Sequence, residues 1–256
     1  MNILSLKNLK NILTKALITL LILIPLVIGG FWLYTQTFSY SAESEYLKLA
    51  LNDEGIEITK NLRYYKISPK NLNTQNTPKN TPIIYYTGGL VKPESYLFQT
   101  VQISKKLQTN IYVSRPIFNV MIFEIDLASD IIKQEKLDKV TIGGHSLGGI
   151  SGCRFAKNNP QKVKLLFLFG SYCDQDLSQL DFQVLSIIGK KDGIINKENY
   201  EKSKQNLPNS AIIIEDEKLN HSNFGNYGLQ KSDQESQLKV EEIVDLLAQK
   251  LQTGIN

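Results

Sequence analysis

Gly143-Gly144-His145-Ser146-Leu147-Gly148-Gly149 is the stretch whose residue types most directly suggest chemistry. It follows the apolar run Val140, Thr141, Ile142 and precedes Ile150 to Ala156, which reads as a helix. Gly144-x-Ser146-x-Gly148 therefore falls on a strand-to-helix turn, the setting of a nucleophile elbow. Such a turn holds a serine hydroxyl exposed on strained backbone, and residues without bulk at Gly144 and Gly148 let strand and helix approach closely. Bulk at either glycine is expected to close the turn. The pattern alone is weak, because a glycine-rich turn at a helix N-terminus can equally grip a phosphate. Partners further along the chain decide between the two.

A serine nucleophile needs a base, and the chain has two histidines. His145 adjoins Ser146, where neighbouring side chains point apart, so it is a poor base. His221 lies in the loop after the strand-like Ala211 to Glu215, before the last helix, from where it can reach the turn. The third group is a carboxylate that fixes the imidazole tautomer and stabilises the imidazolium. Asp192, in Gly189-Lys190-Lys191-Asp192-Gly193, is the leading candidate, with Asp174 and Asp176 as rivals after the preceding strand. The backbone N–H of Leu147 and that of Gly89 or Leu90, after Thr87, are the candidate donors to a developing oxyanion. Tyr172 and Phe224 are candidate pocket walls, although aromatics at such places are as often core.

These residues need elements to place them. Ala42 to Leu51 reads as a helix, Gly55 to Thr59 and Arg63 to Ile67 as strands, and the polar Asn71 to Thr81 as a surface loop. Pro82 to Thr87 is a buried strand, followed by a helix from near Pro93. Strands and helices then alternate: Ile111 to Ser114, a helix over Val120 to Lys133, Lys139 to Gly143, the helix after Ser146, Val163 to Phe169, Val184 to Ile188, Lys197 to Asn206, Ala211 to Glu215, and a final helix over Glu235 to Leu251. That alternation predicts an α/β fold with a mostly parallel sheet and helices on both faces. Phe169 to Val184 is too short for a helical cap, which implies an open cleft, facing away from the membrane, for a small or exposed ester.

Ala16 to Tyr34 carries no charge and is about long enough to span a bilayer as a helix. A cleaved signal peptide is the competing reading. No small-x-small pair occurs until Ser39 and Ser41, and Trp32 and Tyr34 suit an interfacial aromatic belt, so an uncleaved anchor is expected. Lys7, Lys10 and Lys15 precede it, which puts residues 1–15 in the cytoplasm, 16–35 in the membrane, 36–52 in a tether and short helix, and 53–256 in an extracytoplasmic catalytic domain. The formal charge is +4, but without those three lysines 26 basic residues face 25 acidic ones, so nothing argues for nucleic acid. Two cysteines and two histidines leave no zinc-ligand pattern, and no P-loop or dinucleotide fingerprint occurs, so no cofactor or metal is expected. Cys153 and Cys173 are expected as two buried thiols, a disulfide being permitted outside the cytoplasm but not required by their spacing.

From about Pro82 to Leu251 the chain resembles the α/β-hydrolases, in particular the lidless group similar to dienelactone hydrolase. The resemblance is carried by Tyr86-Thr87-Gly88-Gly89-Leu90-Val91, by Gly144 to Gly149, by Gly189 to Gly193, and by Asn220-His221-Ser222-Asn223-Phe224-Gly225-Asn226-Tyr227-Gly228-Leu229-Gln230. It implies a triad of Ser146, Asp192 and His221, in the order found in that family, and adds Asn220, Phe224, Tyr227 and Gln230 as residues shaping the site. Dienelactone hydrolases use a cysteine nucleophile where this chain has Ser146, so a different acyl substrate follows. The expected activity is hydrolysis of a carboxylic ester or similar small acyl compound through an acyl-enzyme. Transfer to an acceptor other than water uses the same residues, and an inactive membrane-tethered binding module is the alternative of another class.

Overall fold

The computed structural model describes residues 3–71 and 81–255. The expected loop from Asn71 to Thr81 lies almost wholly outside them. The chain divides after Phe38 into a single helix and a globular unit that begins at Ser39.

Helix α1 runs from Ile3 to Phe38 and continues through Pro25. Its stretch Asn8–Phe38 is long and apolar enough to cross a membrane by length and composition. The same features also suit a signal sequence.

In the globular unit the strands are β1 (Ile56–Lys60), β2 (Tyr64–Pro69), β3 (Ile83–Tyr86), β4 (Ile111–Ser114), β5 (Val140–His145), β6 (Val163–Phe169), β7 (Gln183–Gly189) and β8 (Ile212–Asp216). They form one sheet in the order β1-β2-β4-β3-β5-β6-β7-β8. β1 and β2 are antiparallel to each other, β2 is antiparallel to β4, and the rest pair in parallel. Alternate residues of each strand face opposite layers. Ile83, Tyr85, Phe167 and Phe169 pack with Leu97 and Val101 of α3 (Leu97–Leu107) and Ile243 and Leu247 of α7 (Val240–Ile255). Ile84, Tyr86, Leu166 and Leu168 pack with Ile131 of α4 (Leu127–Gln134) and Phe155 of α5 (Leu147–Asn158). The remaining helices are α2 (Ser44–Leu51) and α6 (Lys197–Ser203).

Because β3 lies between β4 and β5, the chain leaves β3 toward one sheet edge and β5 toward the other. A crevice therefore opens at the carboxyl ends of β3 and β5, where such folds bind ligands. The expected Ser146 turn and the loop after Thr87 meet there. Residues 170–182 join β6 to β7 without a helix or strand, so no cap covers the crevice from that side.

Two helices differ from expectation at their starts. Met121–Phe123 forms only a single 3-10 turn, and α4 begins at Leu127 rather than near Val120. Glu124 interrupts the run: its carboxylate accepts from the Ile117 N–H and pairs with Arg63. The last helix begins at Val240, not Glu235, because Glu242 reaches back to accept from the Lys239 N–H and fixes the first turn there.

Candidate active site

Ser146 joins β5 to α5 with φ 53° and ψ −123°, the strained geometry of a nucleophile elbow. A Cβ at Gly144 would lie 2.0 Å from the Tyr86 carbonyl oxygen, and one at Gly148 would lie 2.2 Å from the same atom. The turn thus folds against the end of β3 so closely that both positions need glycine, as the sequence predicts. The Ser146 N–H donates to Phe169 O at 3.0 Å, and the Ser171 hydroxyl donates to Ser146 O at 2.7 Å. The Ser146 backbone is held on both sides while the residue stays partly exposed.

Asp192 follows β7 and is completely buried. Its Oδ1 accepts from the N–H groups of Ile194 and Ile195, at 2.9 and 2.8 Å. Its Oδ2 pairs with His221 Nδ1 at 2.7 Å. That contact assigns the proton to Nδ1 and leaves Nε2 as the basic nitrogen. The rivals are spent elsewhere: Asp174 is paired with Arg154, and Asp176 accepts from the Ser178 N–H. The His221 ring lies 4.5 Å, centroid to centroid, from that of His145, the residue before Ser146. Ser146 Oγ and His221 Nε2 share no hydrogen bond in this structure.

On the opposite side of Ser146, Leu147 opens α5, so its N–H has no partner within the helix. Gly89 abuts it: a Cβ there would lie 2.5 Å from Leu147 Cδ1. Of the two candidates for the second donor, Leu90 is excluded, because its N–H donates to Asn119 O at 2.8 Å. Gly89 remains. The preceding Gly88 N–H donates to the Tyr96 hydroxyl at 2.9 Å, and that hydroxyl contacts His145 Nδ1 at 3.0 Å. With Tyr96 as donor to Nδ1, only the Nε2–H of His145 is left without a partner. The opposite assignment strands the Tyr96 hydroxyl proton as well. Burial, and secondarily the nearby His221, hold the His145 pKa well below the usual histidine value, so the ring is neutral.

The residues that the family resemblance adds build the histidine loop. Asn220 Nδ2 donates to Gln234 O at 2.5 Å, and Asn220 and Asn223 bond reciprocally. Phe224 is fully buried and stacks on Phe169. Phe224 thus belongs to the core beneath the loop, while Asn220 lines a cleft with Gln99, Ser222 and Asn223. Tyr227 is buried with its hydroxyl unpartnered, 6.2 Å ring to ring from His145. The Gln230 N–H donates to Ser222 Oγ. Tyr172 lines a cleft with Asp174, Asn199 and Asn206.

Two features escape the sequence reading. Cys153 on α5 and Cys173 after β6 form a disulfide, correcting the expectation of free thiols. Their Cα atoms lie 5.5 Å apart, a distance that the sheet sets and the 20-residue separation does not reveal. The second is Asp233. Its Oδ1 accepts from the N–H groups of Gly193 and His221, at 3.0 and 3.3 Å, and its Oδ2 from the N–H and hydroxyl of Ser222, both at 2.8 Å. One carboxylate thus ties the Asp192 loop to the His221 loop.

The chain belongs to the Alpha/beta hydrolase family, whose model matches residues 82–245. No curated protein matches it by sequence. Among solved structures it is similar to a predicted CIB-like hydrolase from Thermoplasma acidophilum, at 13% identity and a TM-score of 0.61 over 78% of this chain and 100% of that one. It is also similar to the carboxylesterase CesB (YbfK) from Bacillus subtilis, at 12% identity and 0.58 over 88% and 100%. A monoacylglycerol lipase from Paleococcus ferrophilus gives 13% identity and 0.57 over 77% and 99%. At these identities the likeness concerns the fold.

Proposed function

We propose that this protein is a serine hydrolase that cleaves a carboxylic ester or similar acyl compound through an acyl-enzyme. Ser146 attacks the carbonyl carbon, its proton passing to His221 Nε2. Asp192 holds His221 and stabilises the imidazolium. The N–H groups of Leu147 and Gly89 receive the oxyanion, and the leaving alcohol takes the proton back from His221. Water activated by the same nitrogen then releases the acid. The observation that carries this reading is the buried Asp192–His221 pair set against a strained elbow bearing Ser146. The carboxylesterase and the monoacylglycerol lipase among the structurally similar proteins agree with it.

The same reading takes α1 as an uncleaved anchor with the catalytic unit outside the cytoplasm. Support comes from the basic residues before the apolar stretch and from the Cys153–Cys173 disulfide, which persists in oxidising compartments.

The test is labelling of the full-length protein by a fluorophosphonate probe, alongside hydrolysis of short p-nitrophenyl esters. Ser146→Ala abolishes labelling, and it and His221→Ala each lower kcat by at least about 10³-fold. A folded parent that neither labels nor hydrolyses would overturn the mechanism.

A further inference from the structure

The loops at the mouth of the crevice carry large apolar side chains that no catalytic step uses. Leu62 in the turn between β1 and β2 is 85% exposed, and Ile117 and Phe123 between β4 and α4 are 52% and 64% exposed. β2 begins at Tyr64, paired with Ser114 at the end of β4, so the Leu62 turn projects from the same sheet edge as the nucleophile elbow. The two loops are joined firmly. The Arg115 N–H donates to Arg63 O at 2.7 Å, the Arg115 guanidinium donates to the Leu62 and Asn61 carbonyls, and Arg63 pairs with Glu124. The apolar tips are therefore a fixed surface feature, flanked by two arginines.

That edge also holds the first residues of the globular unit. Asn119, between Ile117 and Phe123, donates from Nδ2 to Ser39 Oγ at 3.0 Å. The Tyr40 N–H donates to Leu90 O at 2.8 Å, the Lys92 N–H donates to Tyr40 O at 2.9 Å, and the Glu43 N–H donates to Asn226 O at 2.9 Å. Ser39 directly follows the apolar stretch that ends at Phe38. Successive Cα atoms are about 3.8 Å apart, so Ser39, which Asn119 holds, is one such step of chain from the end of that apolar stretch. Exposed apolar tips on a rigid loop pair suit a bilayer surface, where the apolar groups enter the boundary layer.

We propose that Leu62, Ile117 and Phe123 rest in the boundary layer of the bilayer that α1 spans, and that the enzyme draws its ester from that bilayer. This inference rests on the hydrolase and anchor readings above. It replaces the expectation of a cleft facing away from the membrane, because the loops beside Ser146 are bonded to the residues that emerge from α1.

The test uses the full-length protein in phosphatidylcholine liposomes, with Phe123→Cys carrying an environment-sensitive NBD label; the native cysteines, being paired, do not compete for it. A matched label at Gln161→Cys, just before β6 on the opposite sheet edge, is the control. The expected result is a blue shift and at least twofold quenching by nitroxide lipids at position 123, with neither at 161. In parallel, the combined variant Leu62→Glu, Ile117→Glu, Phe123→Glu loses at least tenfold in hydrolysis of a long-chain ester dispersed in the liposomes, while p-nitrophenyl acetate hydrolysis stays within twofold. An unquenched label at 123 overturns the docking. A quenched label with equal effects of the triple variant on both esters overturns the bilayer as the source of substrate. If the parent cleaves neither ester while position 123 is quenched, the hydrolase reading fails and the docking stands.

Discussion

Asp233 should matter to both stability and turnover, although it touches neither the nucleophile nor a substrate. Its oxygens take four hydrogen bonds, from the N–H groups of Gly193, His221 and Ser222 and from the Ser222 hydroxyl. In Asp233→Asn one oxygen survives, and the new amide N–H₂ faces donors on the other side. At least one backbone N–H then loses its acceptor, and the rest lose the ionic contribution. A hydrogen bond to a charged group is worth about 1.5–3 kcal/mol, and because Asp233 is only half-buried the lower end applies: about 1.5 kcal/mol for the bond lost outright and about as much again from the three that lose the charge, a net loss of about 3 kcal/mol. For a unit of this size that is a fall in Tm of about 6–12 °C. The freed loops carry Asp192 and His221, whose shared hydrogen bond sets the direction of Nε2, so kcat falls about 10–100-fold with KM little changed. Calorimetry and p-nitrophenyl acetate kinetics well below Tm measure the two effects. A kcat within twofold of the parent would refute the positioning argument, even if Tm falls as calculated.

Gly148→Ala drives a Cβ to within 2.2 Å of the Tyr86 carbonyl oxygen, a backbone atom that cannot yield, so activity is lost with about 3 kcal/mol of stability, read by urea denaturation. Replacing both Cys153 and Cys173 by serine opens a 20-residue loop and costs about 3 kcal/mol in the loop-entropy picture; the parent measured in reductant should match the variant. The His145 pKa is depressed in the folded state, so the unfolded chain binds a proton that the native ring refuses. Its contribution is therefore fully present above about pH 6.5 and is lost as pH falls, by about 1.4 kcal/mol per pH unit until the folded pKa is reached. Unfolding free energies between pH 5 and 8 should show this slope, and His145→Gln should flatten it.

The sheet was legible because each central strand is a short apolar run closed by turn residues. Val163 to Phe169 is observed with the boundaries read from the sequence. The elbow was legible for a related reason: Gly144 and Gly148 meet steric demands made by the neighbouring β3, and those demands restrict residue type. Asp192 leads its rivals in the sequence by its place after β7, and in space Arg154 takes Asp174 while His221 meets Asp192. Asp233 gave no signal, since an aspartate in a polar loop looks alike whether or not three backbone N–H groups converge on it. The disulfide was hidden for the opposite reason, both cysteines lying in segments that pack well as apolar chain. The overlong α4 arose because Val120 to Phe123 is apolar without helical spacing, a pattern that also suits a loop resting on other surfaces.

The elbow motif places Ser146, but residues outside every motif hold the surrounding loops. Tyr96 accepts from Gly88 beside Gly89, Asn119 accepts from Leu90 through its carbonyl, Tyr40 bonds the same loop from its other side, and Asp233 joins the Asp192 and His221 loops. Each comes from a different part of the chain, so the loops are fixed separately before a substrate arrives. That arrangement suits a reaction whose catalysis depends on donors already aimed at a charge that appears only in the transition state. It also explains why Tyr96 must be tyrosine: phenylalanine would fill the same space yet leave the buried Gly88 N–H without an acceptor, a cost of about 1–3 kcal/mol. The same change removes the donor to His145 Nδ1, next to Ser146, so both loops that flank the elbow lose a partner at once.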